Sequence, residues 1–185
     1  IFWLEYVHRL WGRAIGAVFL LPFVFFLAKG WVGRTLSFHF VGIFILGGLQ
    51  GVLGWFMVKS GLVDRPDVSQ YRLAAHLVAA FSLYGYIFWI ALKLLIPTLD
   101  APPSPTAATL RRLVKLIVAL IFFTVLSGAF VAGLDAGMAY NTFPLMEGHL
   151  VPEAMFIMSP WGINFLENIA TVQFDHRVLA ITTLI

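Results

Sequence analysis

Apolar residues run through this chain in four stretches long enough to cross a membrane. At 1.5 Å rise per residue, about 20 mainly apolar residues span a hydrocarbon core of ~30 Å. Leu10 to Ala28, Leu36 to Val58, Leu73 to Ile96 and Leu113 to Leu134 each meet that requirement. A fifth apolar run begins at Val178 and stops at Ile185, so the pattern predicts a fragment of a longer polytopic chain. The polar breaks predict three parts. Residues 1–96 form an N-terminal three-helix half-bundle, 97–112 a Pro-rich linker, and 113–185 a truncated C-terminal half-bundle. The last part holds one full helix, a segment at 135–171 and the start of another helix. Segment 135–171, rich in Pro and Gly, is too long for a simple turn and is predicted to carry short surface helices.

The distribution of charge orients these spans. Lys29 and Arg34 in the first loop, and Lys93, Arg111, Arg112 and Lys115 around the linker, mark the cytoplasmic or matrix side, where short loops carry excess basic residues. Segment 135–171 holds Asp135, Glu147, Glu153 and Glu167 with no Lys or Arg, which assigns it to the outer side. The Lys59 to Arg72 loop follows by alternation. The first, third and fifth spans then all run from outside to inside, and His8, His76 and His176 each stand near the start of one of them. They share a depth near the outer surface.

Composition narrows the chemistry. Of 185 residues 61% are hydrophobic and 11% charged, and mean hydropathy is +0.92, which excludes an ordinary soluble domain. The formal charge of +3 comes from residues scattered over helix ends and loops, without the aromatic-interleaved basic patch that nucleic-acid binding requires. The absence of Cys removes disulfides, thiolate metal sites, iron–sulfur clusters and thiol catalysis. Small residues at Gly12/Gly16, Gly47/Gly51 and Gly133/Gly137 have the spacing at which helices approach closely, which predicts a tight bundle.

Ionisable residues within spans are costly and are therefore candidates for function. Glu5 lies three residues before His8 and four before Arg9, so the three can share a helix face. That arrangement suits either an interfacial Glu5–Arg9 ion pair with His8 beside it or a site. His76, four residues after Arg72 and flanked by Ala74, Ala75, Ala79 and Ala80, has small neighbours that leave room for a bulky group. Two histidines on spans of one direction and equal depth suit the axial ligation of a planar haem between helices; a bare zinc or copper ion would lack a third ligand. His176 repeats the motif, with Phe174 two residues before it and Arg177 after, as Tyr6 and Arg9 flank His8. The acid differs: Asp175 adjoins His176 and faces another side of the helix, so only the first copy sets an acid on the ligand face. Arg9, Arg72 and Arg177 suit either haem propionates or lipid headgroups. His39 and His149 are out of register with the other three and read as incidental.

Five stretches carry a family resemblance. They are EYVHRLWGR (Glu5 to Arg13), GLQGVLGWFMVKSGL (Gly48 to Leu62), VSQYRLAAHL (Val68 to Leu77), LSGAFVAGLDAGMAYNTFPLM (Leu126 to Met146) and VQFDHR (Val172 to Arg177). In this order they resemble the haem A synthases, closest to the proteobacterial and mitochondrial branch. The resemblance implies an all-α polytopic membrane protein of two pseudo-symmetric four-helix bundles, with an incomplete set of about five helices here. It implies oxidation of the C8 methyl of haem O to a formyl group, with water as oxygen source, to supply haem A for cytochrome oxidase. By the same resemblance His8 and His76 ligate the substrate haem, Glu5 is catalytic, and His176 ligates a haem b whose second histidine lies elsewhere. Haem O is the expected substrate and haem b the cofactor. Haem O synthase, oxidase assembly proteins, membrane lipid and a second copy of the chain are the expected partners. The expected location is the bacterial inner membrane, with the mitochondrial inner membrane as alternative. A cytochrome b-like electron-transfer subunit with paired histidines and no substrate, and a membrane assembly factor or transporter, are the competing classes.

Overall fold

The computed structural model describes residues 2–64, 68–96 and 104–185, the side chains of residues 60–64 excepted. It is all helical: α1 (Phe2–Ala28), α2 (Arg34–Asp64), α3 (Gln70–Leu95), α4 (Pro105–Gly133), α5 (Asn164–Glu167) and α6 (Ile169–Leu184), with 3₁₀ turns at Ala136–Met138 and Trp161–Ile163. Four of these helices, α1 to α4, are long and apolar enough to cross a membrane, and most of their apolar surface is exposed. In water that exposure would be unfavourable; against lipid or further helices it is not. The short helices predicted within 135–171 are present as the two 3₁₀ turns and α5.

Several helices start earlier than hydropathy predicts. α1 begins at Phe2, because Glu5, His8 and Arg9 are good enough helix residues to extend the span outward. α4 begins at Pro105 instead of Leu113, so 105–112 of the predicted linker are helical; residues 97–103 of that linker lie outside the described residues. The cause is local. Ser104 accepts a hydrogen bond from the Ala107 amide at 3.1 Å, and Pro105 takes the first helical position, where its missing N–H costs nothing. α6 begins at Ile169, with the Asn168 side chain accepting from the Thr171 amide at 3.0 Å. At the other end of α1, the Trp31 amide reaches the Phe26 carbonyl and the Gly30 amide the Leu27 carbonyl, a Schellman stop that needs the positive φ of 70° at Gly30.

The chain divides into two compact units. In the first, Ile1–Phe56 with Ala79–Thr98, α2 packs against both neighbours. Phe40 meets Phe23 edge-on at 5.4 Å and Phe19 at 5.9 Å, while His39 bonds the Tyr86 hydroxyl at 2.6 Å and lies edge-on to Trp89. His39 is thus a helix-pairing residue. In the second unit, Met57–Val78 with Leu99–Ile185, Ala74, Ala129, Phe130 and Val172 form a buried cluster joining α3, α4 and α6. The expectation of close glycine packing holds at only some positions. A Cβ at Gly133 would collide with Gln70 and one at Gly47 would touch Leu83 at 3.9 Å, whereas Gly12, Gly16, Gly48 and Gly51 meet nothing within 4 Å among the described residues.

Candidate functional site

The second unit builds a site around His176. Two polar residues on α6, Gln173 and Arg177, precede the apolar run that hydropathy detects, and segment 135–171 supplies hydrogen-bond partners for both. Gln173 Nε2 donates to the Tyr140 carbonyl at 3.0 Å. Arg177 donates to the carbonyls of Tyr140 at 2.6 Å and Thr142 at 2.7 Å. These bonds commit two guanidinium nitrogens to holding the 140–142 backbone. Arg177 therefore acts here as an anchor of the outer segment.

His176 itself is half-buried, and its ring lies on Gly128: a Cβ at that glycine would stand 3.1 Å from Cε1. Its Nδ1 is 2.9 Å from the Ser127 hydroxyl. Ser127 has one hydroxyl proton and donates it to the Thr124 carbonyl at 2.9 Å, so toward the imidazole it accepts. Nδ1 therefore carries the proton and the lone pair sits on Nε2. That is the arrangement in which histidine serves a metal, with one ring nitrogen held by a hydrogen bond and the other presented as ligand. The residues present thus fit an axial haem ligand at His176.

The outer segment above this helix is held by two buried asparagines. Asn164, fully buried, accepts from the Met158 amide and donates to the carbonyls of Met158 at 2.9 Å and Trp161 at 2.7 Å. Asn168 donates to the Ala154 carbonyl at 2.9 Å and to Asn164 Oδ1 at 3.2 Å while capping α6. Beside α6 a groove of about 170 Å³ is lined by Phe123, Phe130, Phe165 and Leu179, with Ser127 and Asp175 its polar members. Ligand pockets run to ~300–1,000 Å³. The groove is too small to be a porphyrin pocket by itself.

The remaining candidates are distributed over both units. Glu5 and Arg9 are brought together as an ion pair on the exposed face of α1, and His8 lies one turn along from Glu5 in the same unit. His76 lies in the second unit, half-buried on α3 two residues past the buried Ala74, with Arg72 one turn before it. His149 stands 3.7 Å from Glu153 within the outer segment.

The sequence profile of the COX15-CtaA family, described as cytochrome oxidase assembly protein, matches residues 1–185. The chain belongs to the COX15-CtaA family. Among similar proteins, Heme A synthase of Nitrosospira multiformis is 54% identical over 182 residues, which cover 98% of this chain and 51% of that protein. Heme A synthase of Rhodospirillum centenum is 55% identical over 183 residues, 98% of this chain and 48% of that protein. The human protein Heme A synthase COX15 is 47% identical over 189 residues, 99% of this chain and 46% of that protein. The chain spans about half the length of the curated relatives it matches. No solved structure matches it.

COX15-CtaA membership bears out the resemblance read from the five stretches, and the apolar helices bear out an integral membrane protein. Sequence reasoning missed Ser127, Gly128, Asn164 and Asn168. Ser127 and Gly128 do lie inside LSGAFVAGLDAGMAYNTFPLM, but no residue spacing points from them to His176, 49 residues away from Ser127.

Proposed function

We propose that the protein to which this chain belongs is a haem A synthase of a bacterial or mitochondrial inner membrane, oxidising the C8 methyl of haem O to a formyl group. Support comes from the names of relatives about half identical to it over nearly its whole length. The observation that carries the reading in this chain is the His176 imidazole laid on Gly128 with its Nδ1 2.9 Å from the Ser127 hydroxyl.

In this reading His8 and His76 ligate the substrate haem, from the half-bundle 1–96, and His176 ligates a haem b in the half-bundle that begins at 113. The haem iron, when bound, supplies the redox chemistry. The protein's own residues supply the rest. Glu5, one turn from His8, takes a proton from the attacking water or faces cationic character at the methyl carbon; Arg9, paired with it, holds its carboxylate in place and offers its free N–H groups to a propionate. Arg72 lies one turn outward of His76, where a second propionate would be met. Haem O synthase, as the source of the substrate, and oxidase assembly proteins are the proposed partners.

The ligand assignment is tested by His8→Ala, His76→Ala and His176→Ala in the full-length protein, with bound haem followed by absorption spectroscopy and products by mass spectrometry. The first two are expected to stop haem O conversion and remove one low-spin haem signal; the third is expected to remove a different one. Retained conversion in His8→Ala or His76→Ala contradicts the assignment. Ser127→Ala is expected to weaken haem binding at His176 by about tenfold, through loss of the tautomer-fixing bond. A haem titration unchanged from the parent would contradict that role.

A further inference from the structure

Gly133, at the outer end of α4, has no space for a side chain. A Cβ there would stand 2.5 Å from the Cα and 2.7 Å from the Cβ of Gln70, the first residue of α3. The obstacle is backbone, which cannot swing aside as a side-chain tip does. Two further contacts within the same unit fix how the helices run past each other. Tyr71 stands edge-on to Phe130 at 5.8 Å, and Ala74 is buried in one cluster with Ala129 and Phe130. As positions climb on α3 they fall on α4, so the two helices are antiparallel, with Gln70 level with Gly133 and Ala74 level with Ala129. The Tyr71 hydroxyl, donating to Glu167 Oε1 at 2.7 Å, ties the same end of α3 to α5.

This register places the histidines. His76 lies six residues beyond Gln70, which is about 9 Å deeper on a helix rising 1.5 Å per residue. Six residues back from Gly133 on α4 is Ser127, the residue that holds His176 at 2.9 Å. His76 and His176 therefore stand at one depth, both level with Ser127. We propose that α4 is the gauge that sets these two histidines level, and that Gly133 is the positioning residue that fixes the depth of α3, and hence of His76, against it. The proposal rests on the reading of His76 and His176 as haem ligands. A slip of α3 along α4 would carry His76 out of this level by about 1.5 Å for each residue of displacement.

The test uses the full-length protein purified with its haems, with His76→Ala and His176→Ala assigning the two low-spin signals by absorption and electron paramagnetic resonance. In Gly133→Ala the His76-dependent signal is expected to shift in g-values and fall at least threefold, while the His176-dependent signal stays at parent intensity. Tyr71→Phe, which removes only the hydroxyl bonded to Glu167, is expected to shift the same signal by less; it decides the matter by the same criterion if Gly133→Ala does not accumulate. Both signals unchanged, or both lost in equal measure, would overturn the proposal. If His76→Ala itself leaves both signals in place, the ligand reading has failed and the proposal falls with it, an outcome distinct from failure of the gauge alone.

Discussion

Haem A formation by the full-length protein is expected to fall by roughly 100-fold or more when Glu5 is changed to Ala, with bound haem kept at the parent level. Glu5 shares an α1 face with His8 and is ion-paired with Arg9, so its carboxylate is held one turn from a proposed iron ligand. The pair is exposed, with side-chain exposures of 38% for Glu5 and 55% for Arg9, and exposed pairs of this kind contribute little to stability, ~0.2–1 kcal/mol. Loss of folding is therefore not the expected consequence. Glu5→Gln separates the two remaining roles: it keeps the shape and an oxygen for Arg9 but cannot take up a proton. Activity low in both variants supports a role for the charged carboxylate, in taking a proton or in facing cationic character, activity restored in Glu5→Gln supports positioning alone, and full haem A formation in Glu5→Ala removes Glu5 from the mechanism. Product analysis by mass spectrometry on equal amounts of haem-loaded protein provides the measurement.

The second large effect is on the outer segment. Asn164→Ala would leave the Met158 amide and the carbonyls of Met158 and Trp161 without their buried side-chain partner, and would free the amide of Asn168 from one of its acceptors. Each of these part-buried hydrogen bonds contributes ~0.5–1.5 kcal/mol net, so a loss of about 2–4 kcal/mol is expected. Asn168 caps α6, whose Gln173, His176 and Arg177 all reach back to the outer segment or to α4. The loosening should thus extend to His176. Limited proteolysis of the full-length protein in detergent, read at cuts within 135–171, is expected to speed up at least tenfold, and thermal unfolding to begin at lower temperature. Proteolysis at the parent rate would show that the asparagine network does not hold the segment.

Much of the architecture was legible in the sequence, and the errors have physical causes. Four spans of ~20 apolar residues are a strong signal, because the bilayer permits few alternatives to a helix of that length. Their ends were not legible from hydropathy. α1 and α6 each carry their charged residues in the first turns, where a hydropathy window reads loop; Gln173 and Arg177 are helical because specific carbonyls at Tyr140 and Thr142 receive their protons. The start of α4 was readable from Ser104-Pro105, a capping signal that outranks the apolar count. Among the glycines, spacing alone did not distinguish Gly133, which lies against Gln70, from Gly12 and Gly16, which meet nothing within 4 Å among the described residues.

For the candidate site, the histidines and Glu5 were legible because ionisable residues at matched depth in an apolar chain demand a reason. What holds them was not. A serine next to a glycine in a span carries no mark of the imidazole 49 residues later that it will fix. The equal depth of His76 and His176, inferred first from parity, is met independently in the second unit, where the antiparallel run of α3 against α4 sets both at the level of Ser127. The echo between LEYVHR and VQFDHR also has a limit. Arg9 pairs with an acid on its own helix, whereas Arg177 binds backbone carbonyls of the outer segment, so the two arginines do different work.

The most direct test of the central claim is to identify the haems extracted from the purified full-length protein by chromatography and mass spectrometry, before and after supply of haem O. Haem B together with haem O is expected and, with an electron acceptor added to take the four electrons that oxidation of a methyl to a formyl group by water releases, conversion of the added haem O to haem A. Haem B alone with no conversion would make the protein an electron-transfer cytochrome, and no haem at all would contradict the assignment of His8, His76 and His176 as iron ligands.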